Sequence, residues 1–166
     1  TSDGACRQGQ LLQPLAQIQR DGMARAASLT AWRQVQVQLA QFRQLTLQVQ
    51  GAIQRNDTAA LDKHFGKDFA FSMPVSGKVP QVMNRAEFLK LGALYTLETF
   101  HISNLGARVW GGVPVVRYQA YRTAELGSID RSGEFVVVDT WVKEGDAWRL
   151  SGRLLARPDP GVNPAK

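Results

Sequence analysis

The chain has 166 residues, a formal net charge of +6 and a single cysteine, Cys6. This length predicts one domain, and a single cysteine excludes an intrachain disulfide. No apolar run approaches the roughly 18 residues of a membrane-spanning helix, so no transmembrane segment is expected. Arginines are concentrated in residues 1–56, but Gln and apolar residues separate them. Without a basic cluster, the charge does not favour nucleic acid as a partner.

The first residue is Thr1 rather than Met, which predicts that an upstream segment was removed. If that segment was an export signal, the mature protein is exported and periplasmic. If the start reflects a cloning choice, the cytoplasm is the expected compartment. The sequence leaves both compartments open.

An amphipathic helix dominates the first third of the chain. Residues 1–28 are weakly patterned, and Pro14 and Gly22 predict only a short or irregular helix there. Apolar residues then recur at alternating three- and four-residue steps, which predicts a helix over about 30–55. Its wide apolar side favours packing against a sheet, with a coiled coil as the alternative. The apolar stripe consists of Trp32, Val35, Leu39, Phe42, Val49 and Ile53, with Thr46 in its one polar position.

Two shorter helices are predicted from their capping residues. Asn56 or Asp57 begins one over 58–65, since a side-chain oxygen there accepts a hydrogen bond from the first helical turn. Asn84, followed three residues later by a glutamate, is typical of a capping box and begins the second helix. That second helix is expected to end near residue 97.

The remaining segments alternate polar and apolar residues, as strands do. One strand is expected over 68–73, closed by Pro74, followed by a loop or edge hairpin over 75–83. Four longer strands are expected over about 99–110, 113–125, 134–143 and 147–156, separated by glycine-containing turns. Helices followed by long antiparallel strands predict an α+β fold, in which helices cover one side of a curved sheet.

The order and spacing of several motifs resemble those of the nuclear transport factor two-like superfamily, and most closely its SnoaL-like branch. The resemblance covers roughly residues 33–157. The matching segments are Ala52-Ile-Gln-Arg-Asn-Asp57, Ala60-Leu-Asp-Lys-His-Phe65, Asp68-Phe-Ala-Phe-Ser-Met-Pro74, Asn84-Arg-Ala-Glu-Phe-Leu89 and Asp139-Thr-Trp-Val-Lys-Glu-Gly-Asp-Ala-Trp148.

This resemblance implies a cone: a strongly bent antiparallel sheet wrapped around a long N-terminal helix, with two shorter helices and a cavity at the open end. It divides the chain into an N-terminal extension (1–28), the cone domain (29–157) and a C-terminal tail (158–166). It also implies a bacterial protein that forms a homodimer through the outer face of the sheet. Members include enzymes as well as non-catalytic binding or assembly domains, so the fold does not decide the function.

Metal and nucleophile motifs are absent from the sequence, and no cofactor is expected. Only His64 and His101 are available as histidines, too few for a multi-histidine zinc site. General acid–base chemistry by a carboxylate or a histidine remains, and the candidate catalytic residues are Asp139 and His101. His101 is either a proton shuttle or a histidine whose hydrogen bonds are made at the edge of the sheet, without a role in proton transfer.

Asp139 interrupts an otherwise apolar predicted strand. Strand alternation places it on one face with Phe135, Val137 and Trp141. Desolvation on that face favours the neutral acid, as a base that works near neutral pH requires. The alternative is an ion pair with an arginine of a neighbouring strand. The candidate partners are Arg117, Arg122 and Arg153.

The predicted pocket contains hydrogen-bond donors and apolar side chains that suit a small apolar or aromatic ligand. These ligand-pocket candidates are Tyr95, Tyr118, Tyr121, Trp141, Arg153, Phe71 and Met73. Members that resemble ketosteroid isomerase carry their catalytic aspartate where this chain has Met73, and their hydroxyl-donating tyrosine falls near Val49. Since neither residue transfers a proton, isomerase chemistry of that type is disfavoured.

The leading hypothesis is therefore a cone-fold domain that binds a small molecule or assembles with itself, without catalysis. An acid–base enzyme of the dehydratase, cyclase or hydrolase kind, using Asp139 or His101, is the first alternative. The second is a protein-interaction module of a bacterial envelope or secretion assembly, with residues 1–28 as a docking element.

Overall fold

The computed structural model describes residues 8–73 and 81–158. Within these ranges the chain forms three helices and seven strands. The helices are α1 (Gln8–Gln54), α2 (Thr58–His64) and α3 (Arg85–Gly92). The strands are β1 (Phe65–Met73), β2 (Gln81–Asn84), β3 (Tyr95–Trp110), β4 (Val113–Leu126), β5 (Ile129–Asp130), β6 (Gly133–Glu144) and β7 (Ala147–Ala156). Cys6, Pro74, residues 75–80 of the loop or edge hairpin predicted over 75–83, and the tail from residue 159 lie outside the described residues.

Helix α1 is much longer than the sequence pattern predicts. It begins at Gln8, whereas the prediction was a short or irregular helix before residue 30. Pro14 removes one backbone hydrogen bond, and Gly22 costs about 1 kcal/mol relative to alanine. The many Gln, Leu, Ala and Arg residues around them are good helix formers, and their summed propensity outweighs these two local costs.

Contacts within the chain divide it into two units, Thr1–Gln41 and Phe42–Lys166. In the first unit all the described residues belong to helix α1, and large apolar side chains such as Met23 and Val37 are exposed. The side chains of Trp32 and Val35, which belong to the predicted stripe, lie outside the described part of the chain.

The second unit contains the hydrophobic core. The part of the predicted stripe that falls in this unit is buried, from Phe42 through Val49 to Ile53. The ring of Phe42 lies 5.9 Å from that of Trp141 and 5.2 Å from that of Trp148, centroid to centroid. The last turns of α1 therefore pack against the sheet, as predicted from the width of the apolar stripe.

Both short helices begin where their capping residues predict. Asp57 caps α2 by accepting a hydrogen bond from the backbone N–H of Ala60 at 3.0 Å. Asn84 and Glu87 form the reciprocal capping box of α3. The predicted end of α3 near residue 97 is wrong, because the helix ends at Gly92 and β3 begins at Tyr95. Pairing with β4 draws these β-forming residues into the sheet.

One sheet contains all the strands, in the order β2-β1-β7-β6-β4-β3, with β5 paired to β4. The pairs are antiparallel except for β1 and β7, which run parallel. Register shifts interrupt the β3–β4 pair twice and the β1–β7 and β6–β7 pairs once each. Such bulges bend and twist the strands, which accounts for the strong curvature of the sheet. The predicted α+β class with a curved sheet packed on a long helix is confirmed.

Within residues 8–73 and 81–158, none of the helices has the length and apolar composition needed to cross a membrane.

Candidate ligand-binding cavity

A cavity of about 100 Å³ lies in the second unit, between the concave side of the sheet and the three helices. Each helix and most strands contribute side chains to its wall. Much of the wall is apolar, including Ile53, Leu61, Phe71, Met73, Phe88 and Phe135. A concave, mostly apolar space with a few polar groups is the usual form of a small-molecule site.

The polar groups on the wall include hydrogen-bond donors and cations. They are Gln50, Asn56, Tyr95, Arg122, Arg131 and Arg153. Among the described residues, no aspartate or glutamate borders the cavity. The charge facing the cavity is therefore positive unless a residue behind the wall compensates it.

Asp139 compensates one of these cations, Arg153. Asp139 is fully buried on β6, and Arg153 lies opposite it on β7. Nε of Arg153 donates to Oδ1 of Asp139 at 2.7 Å, and Nη2 donates to Oδ2 at 2.7 Å. This is the bidentate geometry in which an arginine binds a carboxylate most strongly. Of the two roles that the sequence leaves open for Asp139, the structure has the ion pair.

Gln50 and Tyr118 complete a buried polar network around this ion pair. The side-chain amide of Gln50 has its oxygen toward Arg153, because the opposite orientation sets N–H groups against N–H groups. Oε1 of Gln50 then accepts from Nη1 of Arg153 at 2.7 Å and from Oη of Tyr118 at 3.0 Å. Oη of Tyr118 also lies 3.4 Å from Oδ2 of Asp139. Burying these polar groups is tolerated because they bond to one another.

Arg153 keeps its charge in this network at neutral pH. Burial acts to lower the pKa of Arg153, but the attraction and hydrogen bonds of Asp139 outweigh it, and the pKa is raised overall. Burial raises the pKa of Tyr118, so its hydroxyl stays neutral. Asp139 accepts two charge-assisted hydrogen bonds and has no free face toward the cavity. It is held as a structural partner of Arg153, not positioned as a general base.

The predicted pocket residues fall into three groups. Phe71, Met73, Tyr95 and Arg153 line the cavity. Tyr118 and Trp141 are buried but do not border it, since Tyr118 lies in the polar network and Trp141 packs against Phe42. His101 and Tyr121 are exposed partners on β3 and β4.

Strand alternation explains the position of this last pair. The neighbours of Tyr121 along β4, Ala120 and Arg122, line the cavity, so Tyr121 faces the other side of the sheet. The same holds for His101, because Phe100 before it lines the cavity. A proton-transfer role for His101 inside the cavity is thus at odds with its position in the sheet.

Three polar residues of the site were not predicted in their observed roles. Gln50 is not part of the predicted apolar stripe, although its spacing of four residues from Thr46 and three from Ile53 places it at the edge of that stripe. Arg122 was considered only as a partner for Asp139. Arg131 lies in the turn between β5 and β6, and the sequence has no signal that brings it to the cavity.

Arg122 is held at the wall by aromatic and backbone contacts. Its guanidinium carbon lies 4.1 Å from the ring centroid of Phe135 and 5.6 Å from that of Tyr95. Its Nε donates to the backbone carbonyl of Arg131 at 3.1 Å. Burial lowers the pKa of Arg122, and repulsion from Arg153, Arg157 and Arg131 lowers it further.

Solved structures share this architecture. A nuclear transport factor two-like protein from Cytophaga hutchinsonii is 17% identical, with a TM-score of 0.62 over 69% of this chain and 93% of that one. A nuclear transport factor two-like protein of unknown function in nutrient uptake from Rhodospirillum rubrum is 16% identical, with a TM-score of 0.60 over 68% of this chain and 93% of that one. A putative Ca/calmodulin-dependent kinase II association domain from Exiguobacterium sibiricum is 14% identical, with a TM-score of 0.62 over 74% of this chain and 94% of that one. No protein-family model and no curated protein matches the sequence.

Proposed function

We propose, on the premise that this chain has the cone fold of the nuclear transport factor two-like proteins, that it is a non-catalytic domain which binds a small molecule. The observation that carries the proposal is the cavity of about 100 Å³, apolar over most of its wall and bordered by donors on one side. The order of the sequence motifs supports a place in the SnoaL-like branch.

Binding without catalysis is favoured by the state of the candidate acid–base groups. Asp139 is committed to Arg153, and His101 lies on the other side of the sheet. Met73 lines the cavity at the position where isomerase-like members carry an aspartate, and a thioether does not take up a proton. The groups that face the cavity suit recognition better than proton transfer.

Filling the cavity is expected to weaken ligand binding. Ala120 is buried on β4 and borders the cavity, so Ala120→Leu adds three carbons to the space that a ligand would occupy. We expect the affinity for a small neutral aromatic such as benzyl alcohol to fall at least about tenfold, the loss that follows from removing roughly 1.4 kcal/mol of binding free energy. Ligand-observed NMR titration measures this affinity.

The matched control makes the same change on the outside of the sheet. Ala156 on β7 pairs with Val136 and does not border the cavity, so Ala156→Leu should bind like the unaltered protein. Circular dichroism confirms that both variants are folded. If folded Ala120→Leu binds benzyl alcohol as well as Ala156→Leu does, or if the unaltered protein binds no small molecule, the proposed function is wrong.

Self-assembly through the outer face of the sheet is the second candidate. The strand register places Val138 of β6 between Arg117 of β4 and Leu154 of β7 on this face, and the side chain of Leu154 is 43% exposed. Contiguous apolar patches mark interaction surfaces, and Val138 and Leu154 are direct neighbours on this face. The similar fold of a protein described as a putative association domain supports this candidate. We propose that the occupant of the face is a second copy of the chain.

A charge placed on this face is expected to dissociate the homodimer. Leu154→Glu should convert a dimer into a monomer, because a carboxylate buried in the interface without a partner costs several kcal/mol. Light scattering coupled to size-exclusion chromatography measures the mass. Leu47→Glu, on α1 at a similar exposure of 46%, is the control and should leave the dimer intact. A monomeric unaltered protein, or a dimer that survives Leu154→Glu, contradicts the proposal.

A further inference from the structure

Three arginines and the ring of Phe135 border one small cavity beside the main one. Arg122 and Arg131 line the cavity, and a smaller adjoining cavity of about 40 Å³ is bordered by both and by Arg157. The guanidinium carbon of Arg157 lies 5.2 Å from the ring centroid of Phe135, and that of Arg122 lies 4.1 Å from it. We call Arg122, Arg131 and Arg157 the arginine cluster.

The charge of this cluster is not neutralised by the protein residues around it. Within residues 8–73 and 81–158 the ion pairs are Arg153–Asp139 and Arg85–Asp62, and neither includes a member of the cluster. No carboxylate in this part of the chain borders either cavity. Asp130, which is fully exposed, acts on Arg157 only from a distance beyond ion-pair contact. Arg122 and Arg131 are half-buried, whereas Arg157 is exposed. Half-buried cations without counterions are unfavourable, and an anion placed between Arg122 and Arg131 relieves that cost.

The geometry of Arg122 leaves its terminal nitrogens available. Its guanidinium carbon lies 4.1 Å from the ring centroid of Phe135, and its N–H groups lie in the plane of the guanidinium. Nε is engaged by the carbonyl of Arg131, and within the described residues neither Nη donates to another group. Arg131 has a buried Nε with no hydrogen-bond partner in the described part of the chain. Donors of both residues are therefore left for a ligand.

We infer that the ligand is an organic carboxylate with a small apolar or aromatic body. The carboxylate accepts hydrogen bonds from Arg122 and Arg131, and the body lies against the apolar wall near Phe71 and Phe88. Arg153 does not serve this purpose, because Asp139 already neutralises it. This inference rests on the proposed small-molecule function and specifies its ligand class.

The test compares benzoate with benzyl alcohol, which has nearly the same shape and no charge. Charge-assisted hydrogen bonds contribute about 1.5–3 kcal/mol each, so benzoate should bind at least about tenfold more tightly. The preference for benzoate should shrink as salt is added, since ions screen the attraction. Protein-observed NMR titration gives both affinities and shows whether the shifted resonances belong to the cavity.

Two variants assign the preference to the cluster. Arg122→Gln and Arg131→Gln should each lower the affinity for benzoate at least about tenfold more than the affinity for benzyl alcohol, because only benzoate carries the charge that these arginines bind. Arg117→Gln is the matched control, because Arg117 lies on the same strand as Arg122 and is exposed on the outer face. It removes the same charge from the chain and should not change either affinity.

The outcomes separate this inference from the function on which it rests. If benzyl alcohol and benzoate bind equally, or if Arg117→Gln weakens benzoate as much as both cluster variants do, the anion inference is wrong and the small-molecule function stands. If neither compound binds, both are wrong. If Arg122→Gln does not fold, Arg131→Gln and the salt dependence decide the question.

Discussion

Asp139→Asn is expected to destabilise the protein by about 3–5 kcal/mol, which is the usual cost of leaving one partner of a buried ion pair unpaired. Arg153 has only 4% of its side chain exposed, and its charge would then have no counterion within contact. Asparagine keeps the shape of aspartate, so the loss of stability reflects the removal of the charge and not a change in packing. Chemical denaturation followed by circular dichroism measures the free energy of unfolding.

Asp62→Asn is the matched control for this prediction. Asp62 pairs with Arg85 at the surface, where 57% of its side chain is exposed. Exposed ion pairs contribute at most about 1 kcal/mol, so the same substitution should have a small effect there. The double variant Asp139→Leu with Arg153→Met removes both charges and should be more stable than Asp139→Asn alone. Equal effects of Asp139→Asn and Asp62→Asn would show that the buried pair does not stabilise the fold.

Phe42→Ala is expected to cost about 3–5 kcal/mol, in the range observed when a buried aromatic ring is removed from a core. Phe42 is 2% exposed, and its ring contacts those of Trp141 and Trp148. Because it is the first core residue of α1 in the second unit, its removal opens a void between the helix and the sheet. Thermal and chemical unfolding both report the loss.

Leu47→Ala provides the comparison on the same helix. Leu47 is 46% exposed, so its truncation removes little buried surface and should cost about 1 kcal/mol or less. The near-ultraviolet circular dichroism of Phe42→Ala should also change, since the environment of two tryptophans is altered. A small and equal loss for both variants would mean that α1 does not form part of the core.

Local patterns in the sequence predicted most of the elements of the cone. The caps at Asp57 and Asn84 were predicted correctly because a capping hydrogen bond joins residues only three positions apart. The long strands were predicted because alternation along one strand reveals its buried face. The burial of α1 from Phe42 onward was predicted because helical periodicity is also a local property.

The candidate site was predicted less completely. Phe71, Met73, Tyr95 and Arg153 line the cavity, whereas Tyr121 and His101 face away from it. Alternation along a strand distinguishes its two faces. It does not identify the face that encloses a cavity when both faces carry polar and apolar residues. The register shifts in β3 add to this difficulty, since each bulge changes which residues face inward.

The amino-acid pattern alone was sufficient for the α+β class, the starts of the two short helices and the strand face that Asp139 shares with Phe135 and Trp141, because each depends on neighbours a few residues apart. The partner of Asp139 depended on strand pairing, which selected Arg153 from three candidate arginines. Strand pairing and the turn after β5 also brought Arg131 beside Arg122, nine residues away along the chain. Contacts of this kind depend on sheet register and curvature, which are properties of the assembled molecule and not of any single segment.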